Sequence, residues 1–239
     1  VWALAYQQLM NQFSICIILW FTVKWRPKLL FSIKKVKKLF SFSGKLLFSS
    51  LINSLYKELI NLIVGKIYSP SILGYYNRGE QFPKVIVNNF DSSIQSVIFP
   101  VLASIQHDKV RVKEIMRRAI MMSSYIIFPM MIGLIVISES MVKLVLTEKW
   151  LPCIPYLRVF CISYTLWPIH TANLQAINAI GRSDIFLKLE VIKKVVGVSI
   201  ILITSRYSPY IMAVGTIFSG IISSFINSYP NRKLLNYSY

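Results

Sequence analysis

Lys57 and Glu58 stand near the centre of a long apolar stretch, and Lys84 and Asp91 stand inside the next one. An ionisable side chain at the middle of a bilayer costs roughly 2.5–3.5 kcal/mol on insertion scales. Such groups persist where they line a wet passage or bind something charged, so the chemistry open to them is recognition of a charged solute inside a protein-walled hollow. Helical neighbours lie three and four residues apart. Lys84, Asn88, Asp91 and Gln95 follow that spacing. So do Ser50, Ser54, Lys57 and Asn61, with Glu58 alongside. Thr171, Gln175 and Asn178 make a third polar stripe, with His170 and Asn173 on an adjacent face. Gly215, Ser219, Ser223 and Asn227 make a fourth.

Each stripe also has a structural reading. The small residues at 215–227 read first as close helix packing. Asn and Gln inside a span serve as interhelical hydrogen-bond partners as readily as they serve a ligand. Lys57 and Glu58 point about 100° apart on a helix, so each is expected to meet another helix or face water rather than its neighbour. His170 follows Trp167 and Pro168. Proline in a span frees a carbonyl and kinks or breaks the helix. Broken helices of this kind form binding sites in transporters, which keeps His170 among the candidates.

Other chemistries lack their residues. The sequence has no HExxH, no Walker loop and no GxSxG, and its nine acids are scattered without a close pair for a metal. Cys16, Cys153 and Cys161 show no ligand spacing and no disulfide framework. The expectation is therefore no enzyme, no cofactor and no metal.

The elements that must position these residues read as membrane-spanning helices. The 239 residues are 55% hydrophobic and only 15% charged, with mean hydropathy +0.56. Residues 1–23, 119–138, 159–181 and 207–230 carry no formal charge. Each could cross a hydrocarbon core, which takes about 20 helical residues. The pattern predicts an all-α polytopic membrane protein of about seven spans, near 1–23, 46–67, 82–105, 119–138, 152–178, 186–205 and 209–229. Net charge is +18. In a soluble protein that would suggest nucleic acid; here most cations flank apolar spans, which fits the positive-inside rule and anionic lipid headgroups instead. Basic loops at 24–45, 106–118 and around Arg182 and Lys188 recur on alternate connections, which puts them on the cytoplasmic side. Within the first loop, residues 32–42 place Ile33, Val36, Leu39 and Phe40 on one face and lysines on the other, as an interfacial helix does.

Val1 opens inside an apolar run, so the chain is expected to be a fragment. The domain reading has three parts: 1–23 as the last helix of a preceding bundle, 24–45 as a basic cytoplasmic linker, and 46–239 as a six-helix bundle with a tail.

The segment KLLFSSLINSLYKELINLIVGKIYSPSILGYYNRGEQFP resembles the polysaccharide-exporting flippases of bacterial inner membranes. IQSVIFPVLASIQHDKVRVKEIMRRAI and WLPCIPYLRVFCISYTLWPIHTANLQAINAIGRSDIFLKLE are similar to the same group. These exporters belong with the multidrug, oligosaccharidyl-lipid and polysaccharide exporters. The resemblance implies two six-helix bundles around a cavity with alternating access. It implies a substrate of oligosaccharide on undecaprenyl diphosphate, with membrane lipids and polysaccharide biosynthesis enzymes as partners. Lys57 and Lys84 are the expected cavity cations for the diphosphate, with Glu58, Asn88, Asp91, His170, Asn173 and Gln175 nearby and Arg78 and Arg158 near the outer mouth. Two alternatives stand beside this: a cation-coupled drug exporter using Glu58 and Asp91, and a membrane-embedded glycosyltransferase or polymerase.

Overall fold

A computed structural model describes residues 2–23, 33–106 and 108–234. Among these residues there is no strand. The chain divides into two compact units, residues 1–39 and 40–239. Helix α1, Trp2–Thr22, lies in the first. Residues 24–32 of the basic linker lie outside the described residues.

Helix α2 runs Ile33–Ile67, α3 Pro70–Ser104 and α4 Lys109–Leu146. A 3-10 helix, Glu148–Cys153, leads into α5, Ile154–Tyr164. Then follow α6, Trp167–Ala179, α7, Ser183–Thr204, and α8, Pro209–Leu234. Three segments, Pro70–Ser104, Lys109–Leu146 and Pro209–Asn231, are long and apolar enough to cross a membrane by length and composition. For the others, seven spans stays a reading of the sequence.

The helices are longer than the spans the sequence predicts. Residues 70–81, read as a connection, are helical. Ser69 starts α3 there: its hydroxyl accepts from the Ile72 amide at 3.2 Å, and Pro70 supplies a preset first helical residue. Asp108 caps α4 in the same way, accepting from the Arg111 amide at 3.0 Å. At 1.5 Å per residue α4 is about 57 Å long, so it overhangs a hydrocarbon core of about 30 Å.

The stretch 152–178, read as one span with a proline able to kink it, is two helices. The chain turns at Thr165 and Leu166, whose amides bond back only three residues, to Ile162 and Ser163. Pro168 has no amide to offer the Tyr164 carbonyl, so the α ladder cannot run through.

Helix α4 shows how the bundle meets its surroundings. Val112, Met116, Ala119, Ser123, Ile127, Met131, Leu134, Ser138 and Val142 form one buried stripe. Its other faces are apolar and open: Tyr125 is 83% exposed and Val136 74%. Apolar side chains outside as well as inside suit a lipid surround. Helix α3 packs along α5, α7 along α8, and α4 backs α5 and α6. The main core joins Val87, Met131, Leu157, Phe160 and Met212 from four helices. Helix α2 makes no extended close backbone approach to the others. It reaches them through side chains, such as Tyr68, whose hydroxyl donates to the Ser205 carbonyl at 2.6 Å.

The α3–α5 contact depends on Gly79. A Cβ there would lie 2.7 Å from the Tyr156 Cβ and 2.8 Å from the Leu157 amide nitrogen, which cannot yield. Gly79→Ala is expected to destabilise the protein by about 1–3 kcal/mol. Gly133, with nothing within 4 Å of its Cβ position, is the control: Gly133→Ala should leave stability unchanged or up to about 1 kcal/mol higher. Thermal unfolding in detergent checks both, and equal melting of the two variants would contradict the close approach.

Candidate functional site

One face of each of α2, α3, α7 and α8, together with the α5–α6 break, encloses a polar hollow. It has two chambers of about 310 Å³ and 610 Å³. They adjoin, sharing walls at Asn53, Tyr56, Ser163, Trp167, Lys194, Thr216 and Ser219.

Helix α3 brings a full polar stripe to it. Glu80, Lys84 and Asn88 line the smaller chamber, and Asp91 and Gln95 the larger. Lys84 pairs with Glu80 at 3.2 Å, one turn earlier on the same face. The same Glu80 oxygen accepts from the Tyr164 hydroxyl of α5 at 2.8 Å. Asp91 accepts from the Gln95 amide at 2.7 Å. Lys57 of α2 lines the smaller chamber and makes no ion pair among the described residues.

Helix α7 adds charges that the sequence reading passed over. Glu190, Lys193 and Lys194 line the larger chamber, and Lys194 the smaller as well. Lys193 is bonded to Glu190. Lys194 makes no ion pair among the described residues, although Glu190 one turn earlier attracts it; its ammonium lies 4.5 Å from the centre of the Tyr56 ring, a cation–π contact. The signal was present, since these are ionisable residues in an apolar run, as Lys57 is. Glu80 was legible too, four residues before Lys84.

The break at Pro168 turns Trp167 and His170 towards the hollow. Trp167 stacks on Tyr164, ring centres 5.5 Å apart. His170 lies between α6 and α8: its Nδ1 lies 3.1 Å from the Asn227 side-chain amide and its Nε2 3.3 Å from the Ser224 hydroxyl. Thr171, Gln175 and Asn178 line the larger chamber beside His170. The fourth stripe does both things its residues could do. Gly215, Ser219 and Ser223 line the hollow, while Gly215 also lets Ile200 and Thr204 come close.

Of the sequence candidates, Lys57, Lys84, Asn88, Asp91, His170 and Gln175 share this hollow. Four others lie apart. Arg78 sits over the Trp150 ring at 5.3 Å. It is six residues from Lys84, about 240° around the helix. Arg158 donates to the Ser138 hydroxyl at 3.1 Å. Asn173 is fully buried and receives the Asn231 amide at 2.7 Å. Glu58 is exposed beyond the hollow's lining.

Comparison with known proteins agrees with this architecture. Residues 1–155 match the polysaccharide biosynthesis protein family, and the chain belongs to it. It is 29% identical over 180 residues to the teichuronic acid biosynthesis protein TuaB of Bacillus subtilis, covering 74% of this chain and 37% of that one. It is 28% identical over 204 residues to the lipopolysaccharide biosynthesis protein WzxC of Escherichia coli, covering 85% and 41%. The chain thus spans about two fifths of the length of these curated relatives. The lipid II flippase MurJ, inward closed, has the same fold over 85% of this chain and 45% of its own, with TM-score 0.70 at 16% identity. The chain is an all-α, multi-pass membrane protein that shares this fold.

The His170–Asn227 contact is a tertiary bond between α6 and α8. A double-mutant cycle of His170→Ala with Asn227→Ala should give a coupling of about 0.6–1.7 kcal/mol in unfolding. Arg158→Ala with Asn227→Ala should be additive within about 0.5 kcal/mol. Equal coupling in both cycles would contradict the pairing.

Proposed function

We propose that this chain is part of a flippase that moves polyprenyl-diphosphate-linked oligosaccharide across the bacterial inner membrane by alternating access. In this reading residues 46–239 are one bundle of the transporter, and residues 1–23 belong to a preceding one. The observation that carries it is the pair of ammonium groups, Lys57 and Lys194, which line the smaller chamber and make no ion pair among the described residues. A diphosphate supplies the missing negative charge, and charge-assisted hydrogen bonds to it are the strong kind. Lys84 was expected as one of the two cations; it is matched to Glu80, and Lys194 takes that place. Aromatic rings of Tyr56, Tyr164 and Trp167 in the same walls offer flat apolar faces to sugar rings. The names of the relatives, in teichuronic acid and lipopolysaccharide biosynthesis, support saccharide cargo and work alongside polysaccharide biosynthesis enzymes.

A pocket for cationic drugs would present available acids. Here Glu80 is held by Lys84 and Tyr164 and Glu190 by Lys193, which leaves Asp91, bonded to the neutral Gln95, as one acid against the two ammonium groups of Lys57 and Lys194. We therefore read the protein as a transporter of an anionic lipid-linked sugar, and neither a drug antiporter nor an enzyme.

The test is polymer export in cells depending on the full-length protein. Each charged hydrogen bond contributes about 1.5–3 kcal/mol, so Lys57→Ala and Lys194→Ala should each reduce export by roughly tenfold or more. Lys57→Arg and Lys194→Arg should keep most of it, and Arg158→Ala should stay near the unmodified level. A double alanine variant present in the membrane at normal amount and exporting normally would overturn the proposal.

A further inference from the structure

We propose that a small cell between α3, α4 and α6 binds one sodium ion, held by the carboxylate of Asp91 and the hydroxyls of Ser123 and Thr171. The inference does not depend on what the hollow carries. The cell adjoins the larger chamber and has a volume of about 10 Å³. Asp91, Trp167 and Thr171 border both spaces, so an ion has a way in and water to complete its shell.

Three side-chain oxygens with lone pairs to offer meet there. Asp91 makes no ion pair among the described residues. Its Oδ2 accepts from the neutral Gln95 amide, and that bond leaves Oδ1 unengaged. Ser123 of α4 is 5% exposed, and its hydroxyl donates to the Ala119 carbonyl at 2.6 Å. With its proton committed to the backbone, the Ser123 oxygen can only accept or ligate. Thr171 of α6 is 8% exposed, and its side chain makes no hydrogen bond to another described residue. A polar group buried without a partner is costly. A cation among the three oxygens removes that cost and matches the carboxylate at once.

Charge and size select the ion. The other walls include Val87, Ala119, Ile127, Pro168 and Ala172, whose side chains are all apolar. One carboxylate matches one positive charge. Calcium takes about six to eight oxygens, and magnesium gives up its water reluctantly, so neither suits so small a cell. Transition metals favour nitrogen or sulfur ligands, and these three side chains present oxygen alone. The volume is at the lower limit for a single water, about 10–15 Å³. Bare sodium is smaller than water and potassium about as large, so sodium fits best. A water molecule in the cell would leave Asp91 without a countercharge. The ion ties α3, α4 and α6 together and cancels the acid of the hollow that no lysine holds.

The experiment measures binding of radioactive sodium to the purified full-length protein, with choline as the replacement cation at constant ionic strength. Asp91→Asn is expected to hold one sodium fewer per chain than the unmodified protein. Thr171→Val should weaken that ion's binding by about tenfold or more, and Thr171→Ser, which keeps the hydroxyl, should restore it. Glu139→Gln, at an exposed acid paired with Lys143, is the control and should leave sodium binding unchanged. Potassium should compete about tenfold less well than unlabelled sodium. If the Asp91→Asn protein fails to fold, Ser123→Ala and the two Thr171 variants decide the matter. Sodium binding unchanged in Asp91→Asn or in Thr171→Val would overturn the site. So would a loss in Glu139→Gln equal to that in Asp91→Asn, or potassium competing as well as sodium.

Discussion

Charge inside an apolar slab must be matched, wetted or absent. That constraint organises this bundle. Glu80 is answered by Lys84 and Tyr164, and Glu190 by Lys193. Lys57 and Lys194 are answered by the hollow itself, Lys194 with the face of Tyr56 beneath it. The outward face of α4 carries no charge along its middle: Ile126, Ile132, Val136 and Ile137 are all exposed. A cation without a counterion can persist here only because water reaches it.

The hollow exists because the fold declines to close. A continuous helix through residues 154–179 would stack Tyr164, Trp167 and His170 along one straight axis. The turn at Thr165 and Leu166 offsets the two halves, so α5 faces Glu80 while α6 faces α8. Glycines do the opposite work, closing the contacts that brace the open space. Gly79 brings α3 onto α5, and Gly215 brings α8 onto α7. Helix α2 approaches through Tyr56 and Tyr68, which leaves space beside it. Long side chains can part where close-packed backbones cannot, so α2 is the least tightly held wall of the hollow.

Much of this was legible in the sequence, and the limits have physical causes. The all-α membrane class followed from charge-free runs. The α3 stripe of Lys84, Asn88, Asp91 and Gln95 was legible because polar residues at helical spacing on an apolar helix share a face. On α2 the row was misjudged: Lys57 and Asn61 line the hollow, but with Asn53 and Tyr56 instead of Ser50 and Ser54. Spacings of three and four fit two adjacent rows, and the partner helix decides between them. Arg78 was expected near the outer mouth by the family resemblance, and helical phase turns it to Trp150, away from the hollow. Asn173 lies on the right helix but meets Asn231, from a segment read as tail. The neutralisation of Lys84 depends on Glu80, a local neighbour, and on Tyr164, 84 residues away, which no periodicity reveals.

The central claim is that water reaches Lys57 and Lys194 in the middle of the bundle. Thiol reactivity tests it, because methanethiosulfonate reagents attack the ionised thiolate, which forms only where water is present. In a protein with Cys16, Cys153 and Cys161 replaced, single cysteines are placed at 57, 194 and the lipid-facing position 136. The account predicts labelling of Lys57→Cys and Lys194→Cys by a charged reagent at least about a hundredfold faster than Val136→Cys. Labelling at 57 and 194 as slow as at 136 would contradict it.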